Sequence, residues 1–337
     1  KKVMKNNGVK IILIIILGII VIALINFMIY AIINRNNDYS LKISLIAFGN
    51  NTEKLFEKEY EANEIENIKV DVSSSNVSIE KADVDKIKIT AYGDKDERIN
   101  ETINDKELSI TKSNAKVFIF AMFYWCDEKI IIQVPNDYNE KFNIHTSSGD
   151  IIAPDFENNI INLQSSSGKI KCGNINNGNF KSSSGDITVG NGNEITLQTS
   201  SGNIKVGSFN KLSAETSSGD IEVGMIGESS IKTSSGEIMV ESAKRLQAET
   251  SSGEIDINTI EEFCNLTTSS GGIDIESINV IENSFINAKS GSVDIKSKND
   301  IYIETETKSG DVDVNNNNRM AQIVLKIITN SGSINVD

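Results

Sequence analysis

The chain has 337 residues, a formal charge of −14, two prolines, one tryptophan and one histidine. Lys1, Lys2, Lys5, Lys10 and Arg35 are the only charges in the first 35 residues, so residues 36–337 carry 28 basic against 47 acidic side chains, a net −19. Such a surface repels phosphates and anionic head groups, which argues against binding of nucleic acid.

Residues 1–10 read as a basic tail. The run from Ile11 to Ile33 that follows is interrupted only by Gly18 and Asn26 among its apolar residues. As a helix it would span roughly 34 Å, enough for a bilayer core of about 30 Å. It is longer than the apolar stretch of a signal peptide and has no convincing cleavage site. Four lysines before it and one arginine after it predict a single-pass anchor in the cell membrane, with the N-terminus cytoplasmic and the rest outside. Residues 34–64 are polar and read as a juxtamembrane stalk.

From Ile65 apolar and polar residues alternate, as in Ile68-Lys69-Val70-Asp71-Val72 and Ile87-Lys88-Ile89-Thr90. This is the period of a strand with one buried face. Residues 73–79 resemble a degenerate repeat with Asn76 in the turn. Residues 65–141 are therefore expected to form irregular first coils that cap the N-terminal edge of a stack. The aromatic segment Phe118 to Trp125 fits the core of that cap; exposed, it would offer a patch for a membrane or a partner.

Residues 142–337 hold eleven copies of one Ser-Gly repeat, with glycines at 149, 168, 185, 202, 219, 236, 253, 271, 291, 310 and 332. Two residues after each glycine stands Ile or Val, from Ile151 to Ile334. Four after it stands another apolar residue, from Ala153 to Val336. Five before the glycine the column is again mostly apolar, and three before it is usually Thr or Ser. The inward phase thus switches at the glycine. A corner explains the switch, with Gly accepting positive φ and the adjoining Ser bonding the turn. A third apolar column lies seven residues after the glycine, with Gly192 as its exception.

Three inward sides and about 17–20 residues per coil predict an all-β fold, a parallel β-solenoid, right-handed by the usual crossover rule. Eleven coils at about 4.8 Å give a rod roughly 50 Å long. The chain stops within a repeat, so strand 334–336 is expected to leave an open edge. That edge could pair end to end with another molecule, or be covered by the insertion around Asn315–Ala321.

Little in this pattern carries chemistry. His145 takes an outward position where other copies have Gln, Lys or Glu, so it reads as a surface residue. The serines recur with the turn and read as structure. A polysaccharide-cleaving β-helix would need a localised set of acids, bases or metal ligands, and none stands out; a non-enzymatic protein without a cofactor is expected. Cys126, Cys172 and Cys264 lack metal-ligand spacing, and two of them fall in apolar columns. The acidic residues are the one metal candidate. Asp220, Glu237 and Glu254 share one outward column, and Glu222, Asp256, Asp274, Asp294 and Asp313 another. Stacked like charges would welcome a weakly held Ca²⁺ or Mg²⁺, or remain an ordinary solvated face.

The motif Thr-Ser-Ser-Gly-Asp/Glu-Ile-x-Val, as at 216–223 and 233–240, with Ile132-Gln133-Val134-Pro135 before the first good repeat, resembles the bacterial adhesin-like β-strand-repeat family. The resemblance covers residues 65–337. That family is a domain of unknown function found in membrane-anchored envelope proteins. It implies surface adhesion or an envelope stress response, and supplies no catalytic residue. The partners it suggests are a cell-wall polymer or an envelope protein.

Overall fold

The computed structural model describes residues 18–22, 24–25, 42–44, 48–50 and 52–337, except 96, 114–115, 119–122, 126, 299 and 316. Most of the anchor expected at Ile11 to Ile33 lies outside the described residues. Of that run, 18–22 and 24–25 are helical and exposed, and among the described residues no helix is long and apolar enough to cross a membrane. Cys126 and part of the aromatic segment also lie outside them. In that region Lys42–Ser44 pairs in parallel with Lys116–Phe118, and Phe48–Asn50 with Phe123–Trp125.

From residue 52 onward the described chain is β apart from one 3-10 turn at Ala62–Glu64, and its body is a parallel β-solenoid of about eleven turns. The apolar columns read from the sequence are its core. Ile170, Ile187 and Ile204 stand in register, as do Phe180, Leu197 and Ala214, and all are buried. A further inward column seven residues before the glycine holds Ile195, Leu212, Leu246 and Cys264. Burial pushes the thiols of Cys172 and Cys264 up to about 12, so both stay protonated and act as small apolar fillers. Gly192 breaks the third column because Phe209 needs the room: a Cβ there would sit 2.5 Å from the Phe209 ring and 1.8 Å from the Ile175 carbonyl oxygen.

The corner works differently from the expectation. Of its glycines only Gly310 has a positive φ, +150°. The residue is required by close approach instead. A Cβ on Gly219 would lie 1.9 Å from the Gly202 carbonyl oxygen, and one on Gly253 would lie 1.7 Å from that of Gly236. Nor is the adjoining Ser the residue that ties the turn. The buried Thr or Ser three residues upstream does so. Thr233 Oγ1 donates to the Gly219 carbonyl at 3.1 Å and accepts from the Gly236 N–H at 3.2 Å, and Thr199, Thr216 and Thr250 repeat this pair. One hydroxyl thus satisfies a donor and an acceptor that the corner would otherwise bury unpaired.

Both ends of the stack depart from chain order. At one end Asn67–Val72 lies between Lys141–Thr146 and Glu107–Ser113, and Asn76–Ala82 lies between Ile151–Ala153 and Lys129–Pro135. The first coil in sequence is therefore second in space. Its register sets Gly149 over Ser75, so Ser75, and not Asn76, holds the glycine position. Asn76 takes the next place and accepts the Asp150 N–H through Oδ1 at 2.8 Å. Beyond this coil the pairing becomes antiparallel: Lys86–Asp94 runs against both Lys129–Pro135 and Thr52–Glu61, and Arg98–Asn104 against Glu107–Ser113. Thr52–Glu61, within the segment read as a stalk, is thus part of the sheet.

The other end mirrors this exchange. Val324–Ser331 and Ile334–Val336 lie between the coil of Ser284–Ala288 and Val293–Ser297 and the coil of Tyr302–Ser309 and Val312–Val314. The edge expected at 334–336 is internal, and the outermost strands are 302–309 and 312–314. The insertion reaches that edge: Asn317 accepts the Ile303 N–H at 3.0 Å and donates to the Ile303 carbonyl at 2.8 Å. One side chain there replaces a missing neighbouring strand at this residue.

Candidate functional site

Because the inward face uses odd offsets before each glycine, offsets of four, six and eight point outward together. The middle of these columns runs through eight consecutive coils as Asn143, Asn162, Asn179, Thr196, Ser213, Ser230, Gln247 and Asn265. Every member is polar and uncharged. Lys69 and Phe285 bound the column. Seven coil spacings of about 4.8 Å make it roughly 34 Å long.

Three surface clefts lie along this column. One of 260 Å³ is lined by Asn143, Asn162 and Asn179, one of 380 Å³ by Thr196, Ser213, Ser230 and Gln247, and one of 330 Å³ by Ser230, Gln247 and Asn265. At its start the amides form a head-to-tail row, with Asn162 Nδ2 donating to Asn143 Oδ1 at 2.7 Å and Asn143 Nδ2 to Asn67 Oδ1 at 2.8 Å. His145 stands beside this row with Nδ1 2.8 Å from Asp71 Oδ1.

The flanks of the groove are charged but balanced. On one side Glu194, Lys211, Glu228 and Arg245 follow one another in register with alternating sign, an arrangement that favours pairing across strands. Arg245 also lies 5.0 Å over the Phe263 ring and pairs with Glu282 at 2.6 Å. On the other side Lys181, Glu215, Lys232 and Glu249 balance as well, Lys232 and Glu249 being 3.0 Å apart.

The acidic candidates occupy a different face. Register separates them more than a simple column suggests, because Met239 stands between Glu222 and Asp256, and Asn335 between Asp294 and Asp313. Asp256, Asp274 and Asp294 remain adjacent. Asp220 has a backbone role, its Oδ1 accepting the Glu237 N–H at 3.0 Å, and Glu222 pairs with Lys205 at 2.6 Å. A hydrogen bond with Asp256, aided by the charges of Asp256, Asp220 and Glu254, raises the Glu237 carboxyl above its ordinary value. Partial burial and then Glu276, Asp256 and Asp294 do the same to Asp274. Glu254 and Asp313 remain on this outward surface. Among the described residues no three His, Cys, Asp or Glu side chains are arranged to hold a metal ion.

These features define a class: a repetitive solenoid whose outward chemistry is spread along a face. Family comparison agrees with the repeat, matching residues 65–241 and 190–337 to the Toastrack DUF4097 model. The chain belongs to the Toastrack DUF4097 family. No curated protein matches it. Among solved structures, it is similar to a candidate lipid-binding protein of Parabacteroides distasonis at 19% identity, covering 88% of this chain and 100% of that one with a TM-score of 0.35. A candidate adhesin of Bacteroides fragilis matches at 15% identity, over 86% and 99% of the two chains, with a TM-score of 0.32. A candidate cell adhesion protein of Clostridium sporogenes matches at 11% identity, over 85% and 98%, with a TM-score of 0.19.

Proposed function

We propose that this protein is a non-enzymatic, adhesin-like scaffold of the cell envelope, tethered by Ile11 to Ile33 with its N-terminus in the cytoplasm and its solenoid outside. The observation that carries this reading is the alignment of three clefts along one continuous outward column. A catalytic site concentrates its groups at one place, whereas this face repeats the same chemistry from coil to coil. The anchor rests on the length of the apolar run and its flanking lysines. In-cell crosslinking through the groove, followed by identification of what is captured, tests the role. Envelope polymer or surface protein is the expected catch. Recovery of membrane signalling proteins alone, with normal surface attachment after deletion of the gene, would overturn it.

The acidic face favours a second reading, an accessory or sensor in an envelope stress response. The mutual repulsion around Glu237, Asp256 and Asp274 would be relieved by a cationic peptide. The same crosslinking separates the two readings.

A further inference from the structure

We propose that the groove from Asn143 to Asn265 binds an uncharged, extended β-linked polysaccharide lying along the solenoid axis. The proposal rests on the scaffold reading above and gives its ligand a chemical class. Charge is the first argument. Residues 36–337 carry a net −19, yet the four basic and four acidic side chains that flank the groove between 181 and 249 cancel. Part of the negative charge stands on another face, at Asp256, Asp274 and Asp294. A neutral polymer meets no repulsion here, and a polyanion would meet it from the rest of the surface.

Hydrogen-bonding capacity is the second argument. The Thr and Ser of the corner are buried and engaged at both ends of their hydroxyls, so they have nothing to offer a ligand. Thr196, Ser213, Ser230, Gln247 and Asn265 are exposed, and among the described residues their side chains make no hydrogen bond to protein. Amides and hydroxyls both donate and accept, which suits the mixed donors and acceptors of sugar hydroxyl and acetamido groups. The third argument is period. The column repeats every 4.8 Å or so, close to the advance of one sugar unit in an extended β-linked chain. Successive units can therefore meet successive rungs, and each added contact strengthens the next.

An extended peptide suits the face less well. Peptides add to sheets through free strand edges, and the strands under this groove are paired on both sides from coil to coil.

The test is calorimetric titration of the full chain in detergent micelles with chitobiose, chitohexaose, polygalacturonate and a neutral Gly-Ser peptide. Affinity rising from the disaccharide to the hexasaccharide is expected. The double substitution Ser213→Glu, Ser230→Glu places charge on two exposed rungs. It should weaken hexasaccharide binding about ten-fold or more through lost and unpaired polar contacts, with the thermal transition unchanged. Asp256→Asn, on the acidic face, should leave binding as it was. No heat with millimolar chitohexaose, preference for polygalacturonate or the peptide, or indifference to the double substitution would overturn the proposal. Cosedimentation with isolated envelope material separates the two readings. Capture of that material without oligosaccharide binding removes the ligand class and keeps the scaffold; the reverse keeps the groove and removes the envelope role.

Discussion

At the scale of single residues, the corner is decided by a hydroxyl and a missing methyl group. Thr233 links the Gly219 carbonyl to the Gly236 N–H from a buried position. Thr233→Val keeps the shape and strands both groups, which should cost about 1–3 kcal/mol and lower the denaturation midpoint, while Thr233→Ser should recover most of the loss. Gly219→Ala sets a methyl group against a backbone oxygen that cannot swing aside, 1.9 Å away. It should cost about 3 kcal/mol, seen as faster amide exchange in residues 202–236. The need for glycine was visible in the sequence, but its cause was not. A repeated Gly reads equally well as a positive φ or as a close approach, and only the neighbouring coil distinguishes them.

At the scale of elements, columns carry the energetics, and charge enters them at two places. On the acidic face both Glu237 and Asp274 have carboxyls raised above their ordinary values. The folded state thus holds these protons more tightly than the unfolded chain. This contribution favours folding below about pH 4, and it is lost as pH rises through the folded values. Asp256→Asn removes a charge that acts on both, so the variant should melt higher than the parent at pH 7, the difference closing toward pH 4. The second place is Lys112, in the phase of the inward Thr column on Glu107–Ser113 and with its side chain 1% exposed. It pairs with Glu97 at 2.8 Å and Glu128 at 2.6 Å. Lys112→Met leaves those largely buried carboxylates without their shared cation and should cost about 3 kcal/mol, measured by thermal melting. In the sequence Leu108, Ile110 and Lys112 share one phase, so a lysine on the buried side was legible, but its acidic partners come from other segments. The groove was legible as well. Its residues stand six before each glycine, but uncharged polar residues on a strand carry no periodic apolar signal to mark them.

At the scale of the whole molecule, the repeat sets the middle of the stack and leaves its two ends open. Alignment on glycine gives the registers of the middle coils directly. The exchange of coils depends on long-range pairing, and its local trace is Thr305, five before Gly310, where other copies are apolar. Val312 is 45% exposed and Ile334 only 1%. Ile334→Asp should therefore melt the end of the stack by burying an unpaired charge, at a cost of several kcal/mol (roughly 3 or more), while Val312→Asp should be tolerated. Chain order predicts the reverse, and limited proteolysis of the two variants decides between them. The exchange also changes how the rod can come undone. In an array stacked in chain order, the last coil frays as a free tail and gains the full entropy of an untethered chain. Here the outermost coil, 302–314, is joined at both sides to strands still held in the stack. When it lifts away it becomes a closed loop, whose gain in freedom is limited by the fixed distance between its ends. The opposite end is covered differently, by the antiparallel strands Thr52–Glu61, Lys86–Asp94 and Arg98–Asn104. At the 302–314 end the array is therefore fastened against unravelling by connectivity.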